Sequence, residues 1–261
     1  VRLLADLIER MDWDAFLAQF RWEQGEHVSC IGHTGAGKTT LIRSILHRRA
    51  FVAVIATKPS GRDKTMSGII RQGYRRITEW PPPHRGAARE QRVVLWPDFR
   101  RPEDVANQRY QVDRALREIF VAGSWCIFVD EAYYLCHYLG LTKLLELIWT
   151  QGRSIGLSLV AGTQRPAFVP LFMYSEATHL FFWRSNDEVN LKRIGGIGGK
   201  NAKLIRETVM DLPKEVNLHV HVSPVEFLQF AAFLVIFGFL WRSLAGQLSD
   251  NAVGRAMAFI Y

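Results

Sequence analysis

Apolar and polar positions fall into blocks along this chain, and the period changes from block to block. His27–Ile31, Phe51–Ala56 (FVAVIA), Val93–Trp96, Trp125–Val129, Leu157–Ala161 and Leu180–Trp183 are short, largely apolar runs. Their lack of alternation predicts strands covered on both faces. Between them the spacing lengthens toward 3.6. Thr39–Arg49, Pro102–Phe120 with Glu103 and Asp104 in its first turn, and Leu141–Arg153 predict helices. Strands that alternate with helices predict an α/β fold, a mostly parallel central sheet with helices on both faces.

Near the start, Leu3, Leu4, Leu7, Ile8 and Met11 recur at helical spacing, which predicts an amphipathic helix within residues 1–22. Asp6, Glu9, Asp12 and Asp14 set this segment apart from a cleaved secretory leader. The α/β pattern then occupies 23–222. Within it, 58–117 holds roughly twice as many basic as acidic residues and a loop-like Trp80-Pro81-Pro82-Pro83 stretch, so it reads as a basic, insertion-like region. After 222 comes the most apolar run of the chain, Val225–Trp241 (VEFLQFAAFLVIFGFLW), which predicts an apolar C-terminal helix over 225–245, followed by a tail, 246–261. Its core is shorter than the roughly 20 residues of a membrane span and includes Glu226 and Gln229, but Trp241 and Arg242 suit an interface. It reads either as a membrane anchor, which would tether a cytoplasmic domain to the inner membrane, or as a buried helix.

The 48% hydrophobic content over 261 residues is ample for one large core. The 33 Lys and Arg against 25 Asp and Glu, a net charge of +8, favour an acidic partner, either nucleic acid or an anionic membrane surface. Of three cysteines, Cys30 and Cys126 lie inside the apolar strand runs and the third is Cys136, so reduced thiols in a cytosolic domain are expected.

Chemistry enters at the first strand–turn–helix. Gly32-His33-Thr34-Gly35-Ala36-Gly37-Lys38-Thr39 fits the phosphate-loop pattern, in which glycines let backbone N–H groups curl around an anion at a helix N-terminus. Gly32, Thr34, Gly35, Ala36, Gly37 and Thr40 would line the nucleotide. Lys38 would reach its β- and γ-phosphates, and Thr39 would offer a hydroxyl to Mg2+. Cys126–Val129 then delivers Asp130 and Glu131 to the C-terminal end of a buried strand. Asp130 fits a metal carboxylate and Glu131 a base for the attacking water, while either carboxylate could instead cap a following helix. No Asn-Lys-x-Asp loop is present, so ATP is favoured over GTP. Gly195–Lys200 imitates a second phosphate loop, but its spacing fails and Asn201 stands where Ser or Thr belongs, so it reads as a flexible loop.

A third motif, Gly152-Arg153-Ser154-Ile155-Gly156 followed by an apolar strand ending in Thr163-Gln164-Arg165-Pro166, completes a set. With the Asp130-Glu131 pair, it resembles the HerA–FtsK superfamily of DNA-pumping ATPases, over roughly Gln24–Val222. The zonular occludens toxin-like phage assembly proteins are relatives. The resemblance implies a RecA-like P-loop NTPase fold, ATP and Mg2+ as ligands, and a homo-oligomeric ring, commonly a hexamer. It implies that Gln164 senses the γ-phosphate and that Arg153 is an arginine finger offered to a neighbouring subunit. Read without it, Arg153 is a cation at a helix C-terminus, which the macrodipole favours. Arg165 and the polar turn Ser185–Glu188 gain no role from sequence.

The function this implies is translocation of double-stranded DNA without sequence specificity, for packaging, transfer or segregation. Arginines of 58–117 would contact the backbone or simply face solvent, and Trp80 and Trp96 would stack on bases or sit in the core. Two other readings stand beside it: a membrane-anchored ATPase that extrudes filamentous phage, favoured by 225–245, and a nucleotide-gated scaffold with little turnover, opposed by Glu131 and Gln164.

Overall fold

The computed structural model describes residues 13–59, 61, 63–82, 91–197, 202–212 and 220–222. These belong to one compact unit that runs to Val222. The apolar helix and tail expected over 225–245 and 246–261, and the first part of the amphipathic helix expected within 1–22, lie outside the described residues. Of that last helix, α1 is described, Trp13–Gln19. No helix among the described residues is long and apolar enough to cross a membrane.

Among the described residues, eight strands form one sheet, β1 (Val28–Ile31), β2 (Phe51–Ile55), β3 (Arg75–Ile77), β4 (Gln91–Leu95), β5 (Cys126–Val129), β6 (Ser158–Thr163), β7 (His179–Phe182) and β8 (Val220–Val222). Their order is β3-β4-β2-β5-β6-β1-β7-β8. Only β8 runs antiparallel, against β7, and every other pairing is parallel. The six apolar runs are thus strands, and their lack of alternation has the expected cause: both faces are covered. On β5, Ile127 and Val129 enter one core while Cys126 and Phe128 enter the other.

One face carries α1, α2 (Lys38–Leu46) and α3 (Lys64–Arg71), through Phe16, Leu41, Ile42, Ile45, Met66 and Ile69. The other carries α4 (Val105–Ala122), α5 (Ala132–His137), α6 (Thr142–Gln151), α7 (Phe172–Ser175), α8 (Glu188–Ile197) and α9 (Ala202–Asp211). Leu116, Leu135, Trp149, Met173, Ile194 and Val209 are their contributions to that core.

Two expectations change here, and the two readings of Trp80 and Trp96 are decided. The basic stretch 58–117 supplies β3, β4, α3 and most of α4, so it is built into the sheet and is not an insertion upon it. Trp80 and Trp96 are buried, and their indole N–H groups donate to Glu118 and to the Lys58 carbonyl at 2.9 Å each, so neither offers a face to a base. Gly195 and Gly196, read as part of a flexible loop, are the last turn of α8, where Leu191 and Ile194 bury its inner face. Residues 198–200 lie outside the described residues.

Candidate active site

The loop after β1, Asp130 and Glu131 after β5, and Gln164 after β6 meet at the C-terminal ends of these strands, which neighbour one another in the order β5-β6-β1. After Ile31 the chain leaves β1 with Gly32 N–H donating to Thr163 O at 3.2 Å. It then curls through Gly35 and Gly37, whose φ values of 79° and 102° lie in the left-handed region that a side chain disfavours. Gly37 is the residue from which α2 starts, and Thr40 and Leu41 N–H donate to its carbonyl. Gly32 has no room for a Cβ, which would stand 2.7 Å from that of Trp183. Thr34 and Gly35 are exposed, Ala36 is buried, Thr39 is half-buried and Thr40 faces out.

Lys38 is buried, and its ammonium donates to the loop's own carbonyls, Gly32 O at 2.6 Å and His33 O at 2.8 Å. Burial lowers its pKa, an effect that the carboxylates of Asp130 and Glu131 oppose. The cation therefore already faces the place where phosphate charge would arrive.

The register of β5 and β6 sets Val129 beside Ala161, so Asp130 lies alongside Gly162 and Glu131 alongside Thr163. Glu131 is the N-cap of α5, its carboxylate accepting from Tyr133 N–H at 3.4 Å. Capping and base chemistry are thus open to one carboxylate. Thr163 Oγ1 donates to Glu131 Oε1 at 2.9 Å, and Gln164 N–H to Oε2 at 3.3 Å. Burial raises the Glu131 pKa above the ordinary carboxylate range, against the pull of those hydrogen bonds. Gln164 closes the circuit: its Oε1 accepts from Thr34 Oγ1 of the phosphate loop at 2.5 Å.

Thr163 gained no role from sequence, although it stands in a motif that sequence singles out. Its hydroxyl aims Glu131 and accepts from the Arg165 N–H at 3.1 Å, so Thr163→Val, which keeps the shape and removes both bonds, is expected to lower steady-state ATP turnover about tenfold at a cost of about 1–3 kcal/mol in stability. Unchanged turnover would remove Thr163 from the machinery.

Arg153 lies elsewhere. It sits exposed in the helical turn Gly152–Ile155 before β6, whereas Gln164 follows β6. The intervening strand, at about 3.3 Å per residue, sets them about 20 Å apart on opposite ends of the sheet. Arg153 therefore does not reach the phosphate loop of its own chain. Arg165 places its guanidinium over the Tyr133 ring, 5.2 Å from the centroid. The turn Ser185–Asp187 has a place as well: with Gly32, His33 and Gln164 it lines a cavity of about 450 Å3.

A phosphate loop on β1, paired carboxylates on the strand two places away and a polar residue ending the strand between them define the class: a RecA-like P-loop fold. No family model and no curated protein matches the chain. Among solved structures, the genome packaging NTPase B204 of Sulfolobus turreted icosahedral virus 2 in complex with AMP is similar at a TM-score of 0.52, with 15% identity over 77% of this chain and 94% of that one. The same NTPase with AMPPCP gives 0.53, with 16% identity over 77% and 93%. The cytoplasmic domain of the Thermomonospora curvata type VII secretion ATPase EccC gives 0.50 at 16% identity, covering 77% of this chain and 24% of that chain. What these share with the chain is the fold.

Proposed function

We propose that the chain is a Mg2+-dependent ATPase that moves double-stranded DNA as part of a homo-oligomeric ring. The observation that carries the ATPase reading is Glu131, a carboxylate aimed by Thr163 and Gln164 beside a phosphate loop whose lysine is already turned inward. ATP would lay its phosphates along Gly32–Thr39, and Lys38 would exchange the Gly32 and His33 carbonyls for phosphate oxygens. Glu131 takes a proton from water, the water oxygen bonds to the γ-phosphorus, and the bond to the β-phosphate oxygen breaks to release ADP. Gln164 would hold that water or the γ-phosphate. Thr39 and Asp130 form a hard oxygen donor set suited to Mg2+, and the Lys58 ammonium 3.5 Å from Asp130 stands where a cation belongs. Mg2+ would supply charge neutralisation for the phosphates.

The ring follows from Arg153: if it serves catalysis, it serves a neighbour's site. The net charge of +8 supports DNA as cargo, as does the fold shared with a genome packaging NTPase. The described arginines of 58–117 are in part internally occupied. Arg92 donates to the His47 and Arg49 carbonyls, and Arg76, Arg114 and Arg117 pair with Asp98, Glu118 and Asp113. DNA binding would thus draw on net charge more than on a dedicated groove.

The test is ATP hydrolysis by the purified chain with and without double-stranded DNA, beside Glu131→Gln as a control for contaminating activity. Severalfold stimulation that fades between about 50 and 200 mM salt is expected. Glu131-dependent turnover indifferent to DNA would overturn the cargo and favour a phage assembly ATPase; no Glu131-dependent turnover would overturn the enzyme.

A further inference from the structure

Lys58 follows β2, whose last residue Ile55 pairs with Val129 of β5, the residue before Asp130. Its Nζ lies 3.5 Å from Asp130 Oδ2 and 3.3 Å from Asp63 Oδ2. An ion pair on a lysine that is half exposed ordinarily counts for little. This one differs in how its parts are mounted. The Asp63 side chain is 3% exposed. It is fixed as the N-cap of α3, Oδ1 accepting from Thr65 N–H at 2.8 Å and Met66 N–H at 3.4 Å. The Lys58 backbone is fixed too. Its carbonyl accepts from the buried Trp96 indole, and the carbonyls of Ala56 and Thr57 before it accept from the fully buried Gln108 amide at 3.3 and 3.4 Å. Two buried polar side chains thus hold in place the short segment that carries one exposed ammonium.

We propose that Lys58 is the counter-ion that Mg2+ must displace from Asp130, and that Asp63 is the fixed anchor to which it retires. The Asp63–Lys58–Asp130 array then sets the metal affinity of the nucleotide-loaded site. The inference rests on the reading of Asp130 as the metal carboxylate. Without Lys58 this half-buried carboxylate would lose its ion-pair partner in the metal-free protein, and a lysine tethered to Asp130 alone would resist the metal. A second carboxylate offers the ammonium an alternative partner within its reach, which makes the exchange easy.

The experiment is a Mg2+ titration of the whole chain bound to mant-AMPPNP, a fluorescent analogue that does not turn over, reading the half-saturating Mg2+. Lys58→Met removes the competing charge and is expected to lower that concentration about three- to tenfold. Asp63→Asn keeps the helix cap but weakens the anchor, leaving Lys58 to Asp130, and is expected to raise it by a similar factor. Lys58→Arg keeps the charge and stays closer to the parent than Lys58→Met. A merely structural role would weaken Mg2+ binding in both single variants, and that outcome, or no change in Lys58→Met, overturns the proposal. Asp130→Asn separates the two readings: if it abolishes the Mg2+ response while Lys58→Met does nothing, only the role of Lys58 falls. If Asp130→Asn leaves the response intact, the metal reading of Asp130 falls and this inference with it.

Discussion

With Glu131 replaced by glutamine, the protein is expected to bind ATP as before and to turn it over about 10²- to 10⁴-fold more slowly. The amide keeps the size of the side chain, and its single oxygen can still accept from Thr163 Oγ1, so most of the geometry around it survives while the bond from the Gln164 N–H to the second oxygen is lost. What it loses is the ability to take a proton. The same burial that would suit Glu131 to act as a base gives the parent a pH signature. Its pKa is raised in the folded chain, so the ionised form builds up only as pH climbs past the ordinary carboxylate range, and turnover rises with it. Stability runs the other way. In the window between the ordinary and the raised pKa the folded state binds more protons than the unfolded one, so stability falls as pH rises through it. Glu131→Gln escapes that loss and is expected to melt higher than the parent at neutral pH. Single-turnover rates and melting curves across pH check both; a glutamine variant with parental turnover would end the role of Glu131 as base.

Gly162→Ala is expected to cost the most stability of any single methyl added near the site. A Cβ there would stand 2.5 Å from the Asp130 carbonyl oxygen, a backbone atom that no rotamer change can move. β5 and β6 lie in the middle of the sheet, each paired on both sides, so neither can slide to make room. Overpacking of this kind costs about 1–3 kcal/mol, which in a chain of this size lowers the melting temperature by about 2–12 °C. Any relief must push Asp130 and Glu131 away from Thr163, so turnover falls too. A melting temperature within a degree of the parent would mean that the two strands are less tightly held than their pairing implies.

Much of this could be read before the fold was known, and the reasons differ by element. The six buried strands were legible because being covered on both faces removes alternation, which leaves a plain apolar run. The phosphate loop was legible because wrapping an anion imposes glycines at set spacing. β3 and α3 were not: Arg75-Arg76 and Lys64 gave their stretch a charge that masked a three-residue strand and a helix with a buried side. The end of α8 was missed because Gly195-Gly196 reads as a break, while the burial of Leu191 and Ile194 decides otherwise. Trp80 and Trp96 permitted two readings, and only their partners choose. The contacts of Lys58 with Asp130 span 72 residues and exist because β2 and β5 pair, which no local pattern announces. Thr163 lay inside a recognised motif, yet its purpose depends on a carboxylate 32 positions away.

The separation of Arg153 from the phosphate loop has a consequence for symmetry. A contact that carries Arg153 of one copy to the phosphate loop of the next joins two unlike surfaces from opposite ends of one sheet. Such a contact is heterologous, so a two-fold dimer built on it alone leaves it unsatisfied, and each added copy presents the same open surface as the last. Growth stops only when the turn from copy to copy closes on itself. The angle of that one interface, and no separate counting device, would then decide between a ring and an endless filament.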